Sequence, residues 1–138
     1  MVLRHIAAAA LLATTATAFA AQDAVVYHID NHTAQGLKGL RNIRNHLDVD
    51  PTAKITVVTH ADGVDFLMEG AKAANGTEFA PLVAGLTSRG VKFEICEITI
   101  TGAGLKKDQF TMDADFVPSG VARITELQTR EGFAYIKP

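Results

Sequence analysis

The chain holds one cysteine, Cys96, and its neighbours make that thiol the first candidate for chemistry. It closes the stretch Gly90-Val91-Lys92-Phe93-Glu94-Ile95-Cys96, where Val91, Phe93 and Ile95 alternate with Lys92, Glu94 and Cys96. A period of two indicates a strand. Cys96 then shares a face with two charged residues instead of the apolar set. A cysteine kept for packing belongs with its hydrophobic neighbours. A thiol at a strand end on the polar face suits nucleophilic or sulfur chemistry, which runs through the thiolate.

A single cysteine cannot pair within its own chain. It is buried and inert, bonded to another molecule, or kept as a working thiol. A working thiol needs its pKa lowered by an imidazolium or a helix N-terminus. His32 and His60 are the candidates for the first effect, and the loop after Cys96 or the turn at Ser119-Gly120 for the second. Glu94 and Glu97 act in the opposite direction. Other readings are plainer: His28 lies inside a strand and reads as an interior histidine, His46 complements the end of a helix, and Ser119 reads as an N-cap.

Competing chemistries find less support. A serine hydrolase wants Gly-x-Ser-x-Gly, and Val117-Pro118-Ser119-Gly120 lacks the first glycine. A dinucleotide site needs Gly-x-Gly-x-x-Gly after the first strand, where this chain has Asp30-Asn31-His32-Thr33. His32, His60 and Cys96 are suitable ligand types for zinc or copper but have no motif spacing. No cofactor or metal is expected from the pattern.

The elements that must position these residues alternate. Ala24–Asp30 and Lys54–His60 read as strands rich in β-branched residues, the second apolar enough for burial on both faces. Between them Leu37, Leu40, Ile43 and Leu47 mark a helical stripe, and Asn31-His32-Thr33 offers its cap. A short helix is expected after Asp62-Gly63, carrying Val64, Leu67, Met68 and Ala71, and another over Glu78–Ser88. Ile98–Gln109 reads as a weak segment with a short helix around Leu105. Asp115–Val117 is a brief strand, a helix bears Val121, Ile124 and Leu127, and Phe133–Ile136 is the last strand. Alternation of this kind predicts an α/β fold, a parallel sheet with helices on both faces. In such sheets ligands gather at the carboxyl ends of the strands. Asp30, His32, His60, Asp62, Cys96, Glu97, Ser119 and Gly120 all fall at or near that edge.

The amino terminus reads as an address. Met1–His5 carries Arg4, Ile6–Ala13 is an apolar run, and Ala18-Phe19-Ala20 places small residues where a signal peptidase reads. The expectation is a secretory signal peptide over residues 1–20, cleaved after Ala20, and a periplasmic or secreted protein. The apolar run is too short for a membrane anchor, so no membrane association is expected after cleavage. Residues 21–138 then form a single domain. Removing Arg4 turns 13 basic residues into 12 against 15 acidic ones, a formal charge of −3. With no Lys/Arg block, nucleic acid is an unsuitable partner. The 48% hydrophobic content excludes a disordered chain.

Gly90–Phe110, Val117-Pro118-Ser119-Gly120-Val121 and Gly132-Phe133-Ala134-Tyr135-Ile136-Lys137-Pro138 together resemble the DsrE/DsrF-like family. The resemblance runs from about Val25 to Pro138. It implies a three-layer α/β/α fold with a mainly parallel five-stranded sheet, and a homo-oligomer, trimer or hexamer. In sulfur-relay members a cysteine after a Gly-Val-x-x-x-Ile/Val strand accepts sulfur as a persulfide, and Cys96 matches that position. The implied function is a sulfur carrier or sulfurtransferase-like protein working with separate sulfur donor and acceptor proteins. A lone thiol suffices there, because the partner supplies the second sulfur centre. His32, His60, Ser119 and Gly120 would assist. The signal peptide sets the chain apart from cytoplasmic relays. The alternatives are a non-catalytic oligomeric binding module for a small ligand or metal, and a redox sensor whose cysteine cross-links subunits.

Overall fold

Stretches rich in β-branched and aromatic residues become the strands, as their preference for a pleated, half-buried surface requires. The computed structural model describes residues 22–138. The expected signal peptide and its cleavage after Ala20 lie outside the described residues. The strands are β1 (Ala24–Asn31), β2 (Lys54–Asp62), β3 (Lys92–Cys96), β4 (Ala114–Val117) and β5 (Ala134–Ile136). They form a five-stranded sheet in the order β4-β3-β2-β1-β5, with every neighbouring pair parallel. Parallel neighbours need long crossovers. These carry helices α1 (His32–Val49), α2 (Ala80–Thr87), α3 (Glu97–Gly102) and α4 (Gly120–Thr129). Asn31 caps α1 by accepting a hydrogen bond from the Ala34 N–H at 2.9 Å.

The two faces of the sheet are unequal. On one, Val25, Tyr27, Ile29, Ile55, Val57, Phe93 and Ile95 pack against Leu40, Ile43 and Leu47 of α1 and Val83 and Leu86 of α2. Each such side chain contributes about 1.5–3 kcal/mol when fully buried, so this face carries most of the stability. On the other, Val26 and Val58 meet Ile124 and Leu127 of α4 and Phe133. The smaller core leaves the upper part of that face to polar residues. Helix α4 begins at the carboxyl edge of the sheet, beside His60 and Cys96. The expected α/β architecture, a parallel five-stranded sheet flanked by helices, is the one found.

Local boundaries shift for identifiable reasons. The helix expected after Asp62-Gly63 is only a 3-10 turn, Asp65–Leu67, because Met68 bridges to Phe110 and leaves the helical path. Helix α2 starts at Ala80, where Pro81 suits the first turn. The helix expected around Leu105 lies earlier, as α3, and starts directly after Cys96. The last pairing of β3 is Cys96 with Val117, so the chain beyond has no neighbour to continue the sheet, and Ile100 turns into the core. No helix among the described residues is long and apolar enough to cross a membrane.

Candidate functional site

Cys96 is both the last residue of β3 and the residue that precedes α3. The first turn of a helix has backbone N–H groups without intrahelical partners. The N–H groups of Ile98 and Thr99, the Thr99 hydroxyl and the N–H of Gly120 from α4 surround the thiol closely enough to lower its pKa, although Cys96 makes no side-chain cap bond to α3. Burial pushes the Cys96 thiol up, but the polar groups around it, the Thr99 hydroxyl and the Gly120, Thr99 and Ile98 N–H groups, outweigh it. The net effect holds the thiol below its ordinary value. The residue is 5% exposed, so the thiol is screened from bulk water.

Two details of backbone geometry build this cradle. The Ala61 N–H donates to Thr99 Oγ1 at 3.1 Å and fixes that hydroxyl beside the cysteine turn. Ala61 itself takes φ 47°, a left-handed conformation uncommon outside glycine, at the exit of β2. Gly120 supplies the close approach of α4. A Cβ there would stand 3.2 Å from His60 Cβ, 3.3 Å from Cys96 Cβ and 3.3 Å from the Thr59 carbonyl oxygen. Without a side chain at this position, the first turn of α4 reaches the thiol. Ser119 caps the same helix, its Oγ accepting from the Ala122 N–H at 3.4 Å.

The two carboxylates that oppose a thiolate are each answered by a cation. Glu94, 6% exposed beneath α4, lies 3.0 Å and 3.3 Å from Arg123 Nε. Arg123 Nη1 also donates to Glu126 at 2.9 Å and Glu131 at 2.8 Å. Burial draws the Arg123 pKa down, yet its hydrogen bonds with Glu94, Glu126 and Glu131 hold the guanidinium further above its usual range. Glu97 pairs with Lys107.

Of the residues picked out in the sequence, the structure brings Cys96, His60, Ser119 and Gly120 together. His32 goes elsewhere: its Nδ1 is 3.1 Å from the Asp62 carbonyl and 3.5 Å from the Asp65 carboxylate, and it lines a groove with Lys38 and Arg41. His28, read as an interior histidine, belongs instead to a polar cluster with His60. Their Nε2 atoms are 2.6 Å apart and their rings stack with centroids at 4.7 Å. Tyr135 Oη is 2.7 Å from His28 Nδ1, and Lys137 Nζ donates to Asp30 Oδ2 at 2.6 Å. Burial, and then His60 and Lys137, lower the His28 pKa, against a smaller opposing pull from Asp30. The hydrogen bond from Lys137 holds Asp30 below its ordinary value. Thr99, Tyr135 and Lys137 escaped the sequence reading. Only the first carried a local signal, its position one helical turn after the cysteine.

A family model described as the DsrE/DsrF-like family matches residues 5–138. Among solved structures, a protein of unknown function, MTH1491, from Methanobacterium thermoautotrophicum is similar at 34% identity and TM-score 0.76. That match covers 85% of this chain and 100% of the other. The YchN protein of E. coli shares the fold at 14% identity and TM-score 0.67, over 86% of this chain and 100% of that one. No curated protein matches. With the family's model spanning nearly the whole sequence and a parallel sheet like that of its structural neighbours, the chain belongs to the DsrE/DsrF-like family.

Proposed function

We propose that the protein is an exported sulfur carrier that takes sulfane sulfur onto Cys96 as a persulfide. The observation that supports this most directly is the cradle of backbone N–H groups and the Thr99 hydroxyl around the sulfur. Such donors favour an anion, whether the resting thiolate or the persulfide formed from it. Family membership supports a sulfur-relay fold, and the leader expected from the sequence supports work outside the cytoplasm.

The transfer needs no external oxidant. The Cys96 thiolate attacks the outer, sulfane sulfur of a donor persulfide. A new S–S bond forms to Cys96, the donor's S–S bond breaks, and the donor leaves as a thiolate with that bond's electron pair. The transferred sulfur keeps its proton or negative charge. Delivery to an acceptor thiolate repeats the exchange. With Cys96 5% exposed, the geometry favours inorganic polysulfide or a slender cysteine persulfide over a bulky donor group. On this reading the protein works as a homo-oligomer, a trimer or hexamer, between separate donor and acceptor proteins.

The test is intact-mass analysis of the mature protein after polysulfide treatment, beside Cys96→Ser. We expect added sulfur on the wild type, released by reductant and absent from the variant. A native Cys96 that takes up no sulfur and also resists alkylation would overturn the carrier reading in favour of a binding module.

A further inference from the structure

We propose that His28, His60 and Asp30 form a binding site for a divalent metal ion of the zinc class, at the carboxyl edge of β1 and β2. Their ligand atoms all lie within 4.8 Å of one another. This set excludes Cys96 and His32, and it goes beyond the sulfur-carrier reading without depending on it.

The orientation of the side chains supports the site. In parallel register His28 lies opposite Val58, so His28 and His60 project from adjacent strands on the face covered by α4. Their Nε2 atoms face each other at 2.6 Å. At that distance they cannot both carry protons, so at least one lone pair points into the gap. Tyr135 Oη at 2.7 Å from His28 Nδ1 acts as a metal site's outer partner does. When His28 donates from Nδ1 to Tyr135, its Nε2 is left as a free ligand. Lys137 holds one oxygen of Asp30 and leaves the other available. The Asp30 and Asn31 N–H groups both donate to the buried Gln35 side chain, at 2.9 Å and 3.1 Å, which fixes the strand end.

Ligand chemistry selects the ion. Two imidazoles and a carboxylate suit zinc and its neighbours, whereas calcium and magnesium want oxygen ligands throughout. Metal–nitrogen distances of about 2.0–2.1 Å in tetrahedral geometry put ligand nitrogens roughly 3.3 Å apart. The two rings therefore open by under about 1 Å, a small side-chain rotation, when an ion replaces the proton between them. Three protein ligands leave a fourth position open, the arrangement of reactive rather than purely structural zinc. The other comparable group among the described residues, Asp23, His46 and Asp50, offers one imidazole instead of two, and its Asp23 is exposed.

The experiment is calorimetric titration of the chelator-stripped full protein with Zn²⁺, with Co²⁺ absorption as a second readout. We expect one equivalent bound, binding lost in His28→Gln and His60→Gln, and weakening of about tenfold in Tyr135→Phe. Tyr135 is half exposed, so that variant keeps the fold and tests the outer partner alone. Cys96→Ser is expected to bind normally, whatever the outcome for sulfur loading. No binding by the wild type, or undiminished binding by folded His28→Gln and His60→Gln, would overturn the proposal. A thiolate-to-cobalt band abolished by Cys96→Ser would overturn the three-residue ligand set.

Discussion

Substituting Gly120 by alanine tests the link between α4 and the thiol. The added methyl would stand 3.2 Å from His60 Cβ and 3.3 Å from both Cys96 Cβ and the Thr59 carbonyl oxygen, so α4 must retreat by a few tenths of an ångström. That retreat carries the Gly120 N–H, which helps hold the thiol pKa down, away from the sulfur. A hydrogen bond to a charged group is worth about 1.5–3 kcal/mol. Weakening that contact raises the Cys96 pKa, and the full worth of such a bond is the upper limit of the effect. The thiolate fraction near neutral pH then falls. Thiolate absorbance in the ultraviolet, followed against pH in the presence of chelator with Cys96→Ser as the blank, measures this directly. The sign for stability follows from the lowered folded-state pKa. The contribution of the thiolate is absent below the folded pKa, grows as pH rises through it, and is complete above the unfolded pKa. Gly120→Ala narrows that window, so its melting-temperature deficit relative to the wild type grows with pH in the alkaline range. A variant that titrates like the wild type would refute the assignment of the Gly120 N–H to the thiolate.

Two further substitutions probe the scaffold. Arg123→Met leaves the buried Glu94 carboxylate without its cation, and urea unfolding is expected to show a loss of about 3 kcal/mol. The double variant Glu94→Met/Arg123→Met should recover most of that loss; no recovery would mean the pair is not the reason Glu94 is tolerated there. Gly63→Ala puts a methyl group onto the Ile29 carbonyl oxygen and the Asp30 Cα, backbone atoms that cannot rotate away. A destabilisation of about 3 kcal/mol is expected from urea midpoints, at the upper end for overpacking, and a loss within about 0.5 kcal/mol would show the contact to be wrong.

Much of the fold was legible because local rules and global packing agree. The stripe Leu40, Ile43 and Leu47 is the face that α1 buries, and Asn31 is its cap. The alternation in β3 put Cys96 on the face with Glu94, where the structure has it beneath the start of α4. The misplaced element was α3. Ile98-Thr99-Ile100-Thr101 has strand-like residues, and helix wins there only because β3 runs out of pairing partner. The cradle that lowers the thiol pKa depends on that outcome.

The site divides along the same line. Residue type and period alone determined that one thiol stands at the carboxyl edge of a parallel sheet, with His60 and the Ser119-Gly120 turn close by. Which charges answer Glu94 and Glu97, and which histidines meet, was decided by tertiary structure. His28 reaches Tyr135 across 107 positions, as Asp30 does Lys137, because β1 pairs in parallel with β5. Periodicity records which face a residue occupies, since each strand or helix imposes it locally. It carries no record of the neighbouring strand, which is chosen by how all the crossovers pack at once.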